Sequence, residues 1–175
     1  MNLESAILKE HSKANSDRIA AQVCKSEPLF KELLKLYFAN EKIIAKRAAW
    51  IVSIVALRKP EFFDAEIPKI CKFILRTDLH DALIRNGAKA LELIEIPDKH
   101  LAIVADTCFK ILLDPTQKVA PKCYCLTALT KICIRIPEFK NELQLVIESQ
   151  LPYSTAAFSA RIRQTQKILK RKTSS

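Results

Sequence analysis

The chain has 175 residues, with 29 lysines and arginines against 19 aspartates and glutamates, a formal charge of +10. Hydrophobic residues make up 49% and charged residues 27%, which excludes the disordered class. Gly87 is the single glycine, and strand-rich folds and phosphate-cradling loops both depend on glycine, so helix is what remains.

Residues 1–27 read as two short helices, around Leu3 to Glu10 and Asp17 to Cys24, with Ser16 as a cap, closing one end of the helical body. The opening Met-Asn-Leu-Glu-Ser lacks the basic and apolar regions of a secretory signal, and the expectation is a cytoplasmic protein. The uncharged apolar stretch Ala48 to Leu57 is about half the length of a bilayer span. Cys24, Cys71, Cys108, Cys123, Cys125 and Cys133 fall on apolar helix faces and are expected to be reduced.

A repeat begins at Pro28. Pro28, Pro60, Pro97 and Pro137 each follow an apolar helical run and precede acidic or aromatic residues, at separations of 32, 37 and 40. Proline ends the preceding helix and opens the next, so these positions divide the chain into units 28–59, 60–96, 97–136 and 137–172 of one domain spanning 1–175. Each first helix shows one apolar face, as in Phe30, Leu33, Leu34 and Tyr37, or Leu101, Val104, Cys108 and Leu112. A polar turn comes next in each unit, and Asn40, Asp78, Asp114 and Ser154 or Thr155 are the expected caps of the second helices.

The second helix of the first unit is apolar almost all round. Ile43, Trp50, Ile54 and Leu57 lie on one side and Ala48, Ile51, Val52 and Val55 on the other, which predicts a sandwiched inner helix with Trp50 in the core. The last helix sets Phe158, Ile162 and Leu169 against Arg163, Lys167, Lys170 and Arg171, the pattern of a water-facing end cap. Pro121 predicts either a kink or a late helix start, Pro68 a place near a first turn, and Gly87 a close approach of two helices.

Helix pairs of this length, opened by proline and with a basic residue early in the second helix, resemble the HEAT and armadillo-like repeat superfamily over residues 28 to 171. Lys46-Arg47-Ala48-Ala49-Trp50, Arg85-Asn86-Gly87-Ala88-Lys89-Ala90-Leu91 and Lys122-Cys123-Tyr124-Cys125-Leu126-Thr127-Ala128-Leu129 carry the resemblance. It implies an all-α fold, an α-solenoid of about four antiparallel helix pairs with N-terminal capping helices. It also implies a non-catalytic scaffold that presents a concave surface, lined by second helices, to a protein partner.

Arg47, Arg85, Lys122 and Arg161 hold equivalent places in the four second helices and form a candidate basic ladder, widened by Lys46, Lys89, Lys118, Arg163 and Lys167. Meeting a phosphate backbone, such a ladder would bind nucleic acid without reading sequence, the alternative function. The competing account is structural: the same residues pair with acidic groups of neighbouring turns. The segment Arg161 to Lys172 holds six basic residues and no acidic one; a solvated capping face explains it better than a binding tail does.

No metal, cofactor or small-molecule substrate is expected. Cys123 and Cys125 project about 200° apart on a helix and cannot converge on one ion. DNA glycosylases built on HEAT-like repeats use aromatic residues and an aspartate in a basic cleft. Asp78, Asp81, Asp106 and Asp114 have no such aromatic company here, so no catalytic residue is expected.

Overall fold

A computed structural model describes residues 2–39 and 41–171. The cap expected at Asn40 and the basic residue Lys172 lie outside them. Ten α-helices succeed one another, and no strand occurs among the described residues.

Two short helices begin the chain, α1 (Leu3–Lys9) and α2 (Lys13–Val23). The cap of α2 is Ser12, whose hydroxyl accepts from Asn15 N at 3.1 Å; Ser16 lies inside the helix and is buried. Four pairs come after them: α3 (Glu27–Tyr37) with α4 (Lys42–Arg58), α5 (Ile67–Ile74) with α6 (Asp81–Leu93), α7 (Leu101–Leu113) with α8 (Val119–Arg135), and α9 (Phe139–Gln150) with α10 (Ala156–Arg171). The second helices form an inner row in chain order, α4 on α6, α6 on α8 and α8 on α10. The outer helices α5, α7 and α9 pack in sequence behind them, and α1 and α2 both lie on α3 and α4. This is an α-solenoid: α4, α6 and α8 each touch their partner and their neighbours in the row, α10 packs chiefly on α8, and the core is one continuous seam.

Local chemistry explains the starts. Pro28 and Pro68 sit in the first two positions of α3 and α5, where a missing N–H has no intrahelical partner to lose. Pro121 is the third residue of α8, so the late start, rather than a kink, is what occurs. A 3-10 stretch, Pro60–Glu66, leads into α5. Its Asp64 does not cap; the carboxylate pairs with Lys99 at 2.9 Å and His100 at 3.0 Å, tying this unit to the next.

Of the caps expected on the inner helices, Asp78 and Asp114 are not used and Thr155 is. Glu41 caps α4, accepting from Ile43 N and Ile44 N at 3.0 and 2.6 Å. These bonds hold its carboxyl below the ordinary glutamate pKa, so the cap is fully formed above that ordinary value and is lost as pH falls through the lowered one. His80, not Asp78, caps α6 by accepting from Ala82 N on Nδ1 at 3.1 Å; Asp78 is held by Arg76 at 2.6 Å instead. Asp114 takes the backbone N–H and hydroxyl of Thr116, making a local turn, and α8 begins without a side-chain cap. Thr155 does cap α10, accepting from Phe158 N at 3.3 Å.

Gly87 sits where α6 crosses the outer helices. Tyr37 Oη donates to the Leu83 carbonyl at 2.9 Å beside it, and burial raises the phenol far above the ordinary tyrosine range. The α8–α10 contact has its own buried polar link, the Thr130 and Thr165 hydroxyls at 2.9 Å, with Thr130 also donating to the Leu126 carbonyl at 2.7 Å. On α10, Phe158 and Ile162 are buried while Arg163 and Lys167 are exposed, as an end helix requires.

Candidate binding cleft on the inner helix row

The stripe of α4 expected to be sandwiched is open. Ile43 is 53% exposed and Leu57 66% exposed, and Trp50 and Ile54 are half-buried. Buried contact falls instead on Ala45, Ala48, Ile51, Val52 and Val55. Trp50 is therefore not a core tryptophan. Its indole meets the exposed His11 ring edge-on, with centroids 5.8 Å apart.

This open stripe forms one wall of a cleft of about 780 Å³ across α4, α6 and α8. From α4 come Ile43, Lys46, Arg47 and Trp50; from α6, Ala82, Arg85, Asn86 and Lys89; from α8, Ala120 and Tyr124; His11 closes the rim. Helix periodicity assembles it. Residues 43, 46, 47 and 50 share one face of α4, residues 82, 85, 86 and 89 one face of α6, and residues 120 and 124 are one turn apart on α8. Alanines at 82 and 120 keep the opening clear. Four cations line the cleft and, among the described residues, no carboxylate does; Glu41 acts on Lys46 from outside it, so the cleft carries a net positive potential that low-dielectric walls concentrate.

The nine basic residues singled out by the sequence divide sharply. Lys46, Arg47, Arg85 and Lys89 reach the cleft. Lys122 does not: it is 8% exposed, donates to Gln150 Oε1 at 3.1 Å and lines a separate depression beside Pro115 and Tyr153. Burial lowers its pKa, with Asp114 opposing the shift. Arg161 spans α10, α8 and α6, donating to Thr127 Oγ1 at 2.7 Å and Glu92 Oε1 at 3.1 Å. Arg47 lines the cleft but also donates to the Ile7 and Leu8 carbonyls at 3.2 and 2.8 Å, satisfying the C-terminal end of α1. Lys118, Arg163 and Lys167 are exposed and lie outside the cleft.

The ladder of four equivalent positions is thus not a row of free cations. Three of its members are bonded within the fold, and Arg85 has no such bond among the described residues. Lys46 and Lys89 share that condition, with no hydrogen bond or ion pair to any of the described residues. Glu92, three residues beyond Lys89 on α6 and 14% exposed, is matched by Arg161. Arg161→Ala is expected to destabilise the protein by about 1–2 kcal/mol, because Glu92 is left half-desolvated without its cation. Thermal denaturation should show the loss, and adding Glu92→Gln should recover part of it.

Sequence reasoning missed Tyr124, Asn86 and His11. For Tyr124 the signal was present. Residues two apart on a helix point in nearly opposite directions, so Lys122 and Tyr124 cannot both face the cleft. His11 lies in the α1–α2 turn, 39 residues before Trp50, and no local pattern connects the two.

Among the described residues no cluster of His, Cys, Asp and Glu could hold a metal ion, and no helix is long and apolar enough to cross a membrane. The six cysteines are free thiols. Burial pushes Cys71 up to about 12 and Cys133 to about 11, which leaves them protonated and poorly nucleophilic at neutral pH.

The chain matches the HEAT repeat domain family over residues 3–171. No curated protein and no solved structure matches it.

Proposed function

The chain belongs to the HEAT repeat domain family, and from that premise we propose that it is an interaction scaffold whose working surface is the cleft on α4, α6 and α8, binding a protein partner through an acidic segment. Helical repeat scaffolds of this family commonly mediate protein interactions. The observation that carries the reading is that Lys46, Arg85 and Lys89 have no hydrogen-bonded or ion-paired partner among the described residues, in a cleft those residues line without a carboxylate. Gathering like charges raises the folding free energy, and a partner carboxylate is what offsets it.

The test is fluorescence anisotropy of a labelled oligoglutamate peptide at low and high salt. Binding should weaken with salt, and the combined Lys46→Ala, Arg85→Ala and Lys89→Ala variant should bind at least about tenfold more weakly. Equal binding by the variant ends the proposal.

Nucleic acid is the second reading, favoured by Trp50 and Tyr124 standing beside the cations, the combination that stacks bases and holds phosphates. Labelled single-stranded and duplex DNA in the same titration decide between the two. A salt slope of about 0.9 per phosphate contact on the duplex would promote it.

A further inference from the structure

The cleft is as apolar as it is basic, and oligoglutamate would use only half of it. Resting on the reading of this face as a protein-binding surface, we propose that its ligand is a short acidic segment carrying an aromatic side chain, the ring seated between Trp50 and Tyr124 and the carboxylates on Arg85 and Lys89.

Three observations lead there. Trp50 on α4 and Tyr124 on α8 stand on either side of the α6 cations, and Lys46 and Arg47 share the α4 wall with Trp50, so aromatic and cationic surface adjoin throughout the cleft. Ile43 exposes more than half of its surface, and the short side chains of Ala82 and Ala120 line the same open cleft as the two aromatic residues. A ring entering there meets the edges and faces that aromatic pairs prefer, and removes apolar surface on both sides from water. Arg85, exposed at the centre, can pair with a carboxylate in two parallel hydrogen bonds.

The floor adds a feature that suits a peptide. Asn86 is 5% exposed and donates to the Ala82 carbonyl at 2.8 Å. Its carboxamide oxygen remains an acceptor among four cations, the complement of a backbone N–H.

A long polyanion fits less well. A phosphate backbone needs cations at regular intervals along its track. Here the track stops: beyond Lys89 the same face carries Glu92 bound to Arg161, and Lys122 is turned away onto Gln150. A compact motif of acid and ring uses what is present.

Trp50 is the only tryptophan, so its emission reports occupancy directly. Three labelled peptides of equal length serve as probes: acidic with a central phenylalanine, acidic with alanine in its place, and the phenylalanine peptide with glutamine for every glutamate. Single-stranded DNA of similar charge is the fourth. The acidic phenylalanine peptide should bind about tenfold more tightly than the alanine peptide and alone should shift the Trp50 emission. Tyr124→Ala removes one of the two walls and should shrink that difference, weakening the phenylalanine peptide more than the alanine peptide. Equal affinity of the two acidic peptides would overturn the aromatic pocket and leave the acidic-partner reading standing. Binding of neither acidic peptide would overturn both, as would tighter binding of DNA that the triple alanine variant abolishes.

Discussion

Gly87→Ala is expected to destabilise the protein by about 2 kcal/mol, although alanine is the better helix former by roughly 1 kcal/mol. A Cβ at this position would stand 2.5 Å from Tyr37 Oη and closer still to Cγ2 of Ile74. Neither neighbour can yield easily. The Tyr37 ring is fully buried, packs against Phe38 and Phe73 with centroids 5.0 Å away in each case, and is held by its bond to the Leu83 carbonyl. Ile74 is 1% exposed. Overpacking of this kind forces side chains off their rotamers or pushes α6 away from the outer row, and the gain in helix propensity does not cover it. The thermal midpoint should fall by roughly 4–8 °C. The cause is separable: in a Tyr37→Phe background the hydroxyl is gone, so the same substitution should cost about 1 kcal/mol less than it does in the parent. Equal costs in the two backgrounds would show that the Tyr37 hydroxyl is not what makes glycine necessary and would leave Ile74 as the obstacle.

Gly87 also marks how far the sequence could be read. Its role as a point of close approach follows from being the single glycine of the chain, set inside a helical pattern where it costs stability unless packing requires it. The order of helices was legible for a similar reason. Pro28, Pro60, Pro97 and Pro137 each fall at a junction, because proline cannot donate within a helix and the chain has little other punctuation.

What periodicity could not supply was which apolar stripe of α4 faces protein and which faces water. Ile43, Trp50, Ile54 and Leu57 are chemically equivalent to a core seam, and only the placing of the neighbouring helices, a property of the whole stack, leaves them open. The caps failed for a more local reason. Asp78 and Asp114 each had a nearer partner, Arg76 and Thr116, and a bond two residues away outcompetes one that must wait for a helix to form.

Equivalence of position within the repeat proved a poor guide to role, and the clearest test compares two arginines that occupy the same place. Arg47→Ala is expected to lower stability by about 1–2 kcal/mol, because the Ile7 and Leu8 carbonyls at the end of the seven-residue α1 lose their donor. Arg85 has no such duty. The paired substitution Arg85→Glu and Lys89→Glu removes two mutually repelling cations from the cleft and should leave the thermal midpoint unchanged or raise it slightly. Its effect falls on binding: two attractive contacts become two repulsive ones, and affinity for oligoglutamate should drop about hundredfold. Calorimetry and anisotropy on the same samples check both halves. If the double variant unfolded as readily as Arg47→Ala, the cations of α6 would be structural ties like their equivalents, and the cleft would lose its claim to a partner. If it stayed stable and bound as before, the acidic segment would have to dock elsewhere on the stack.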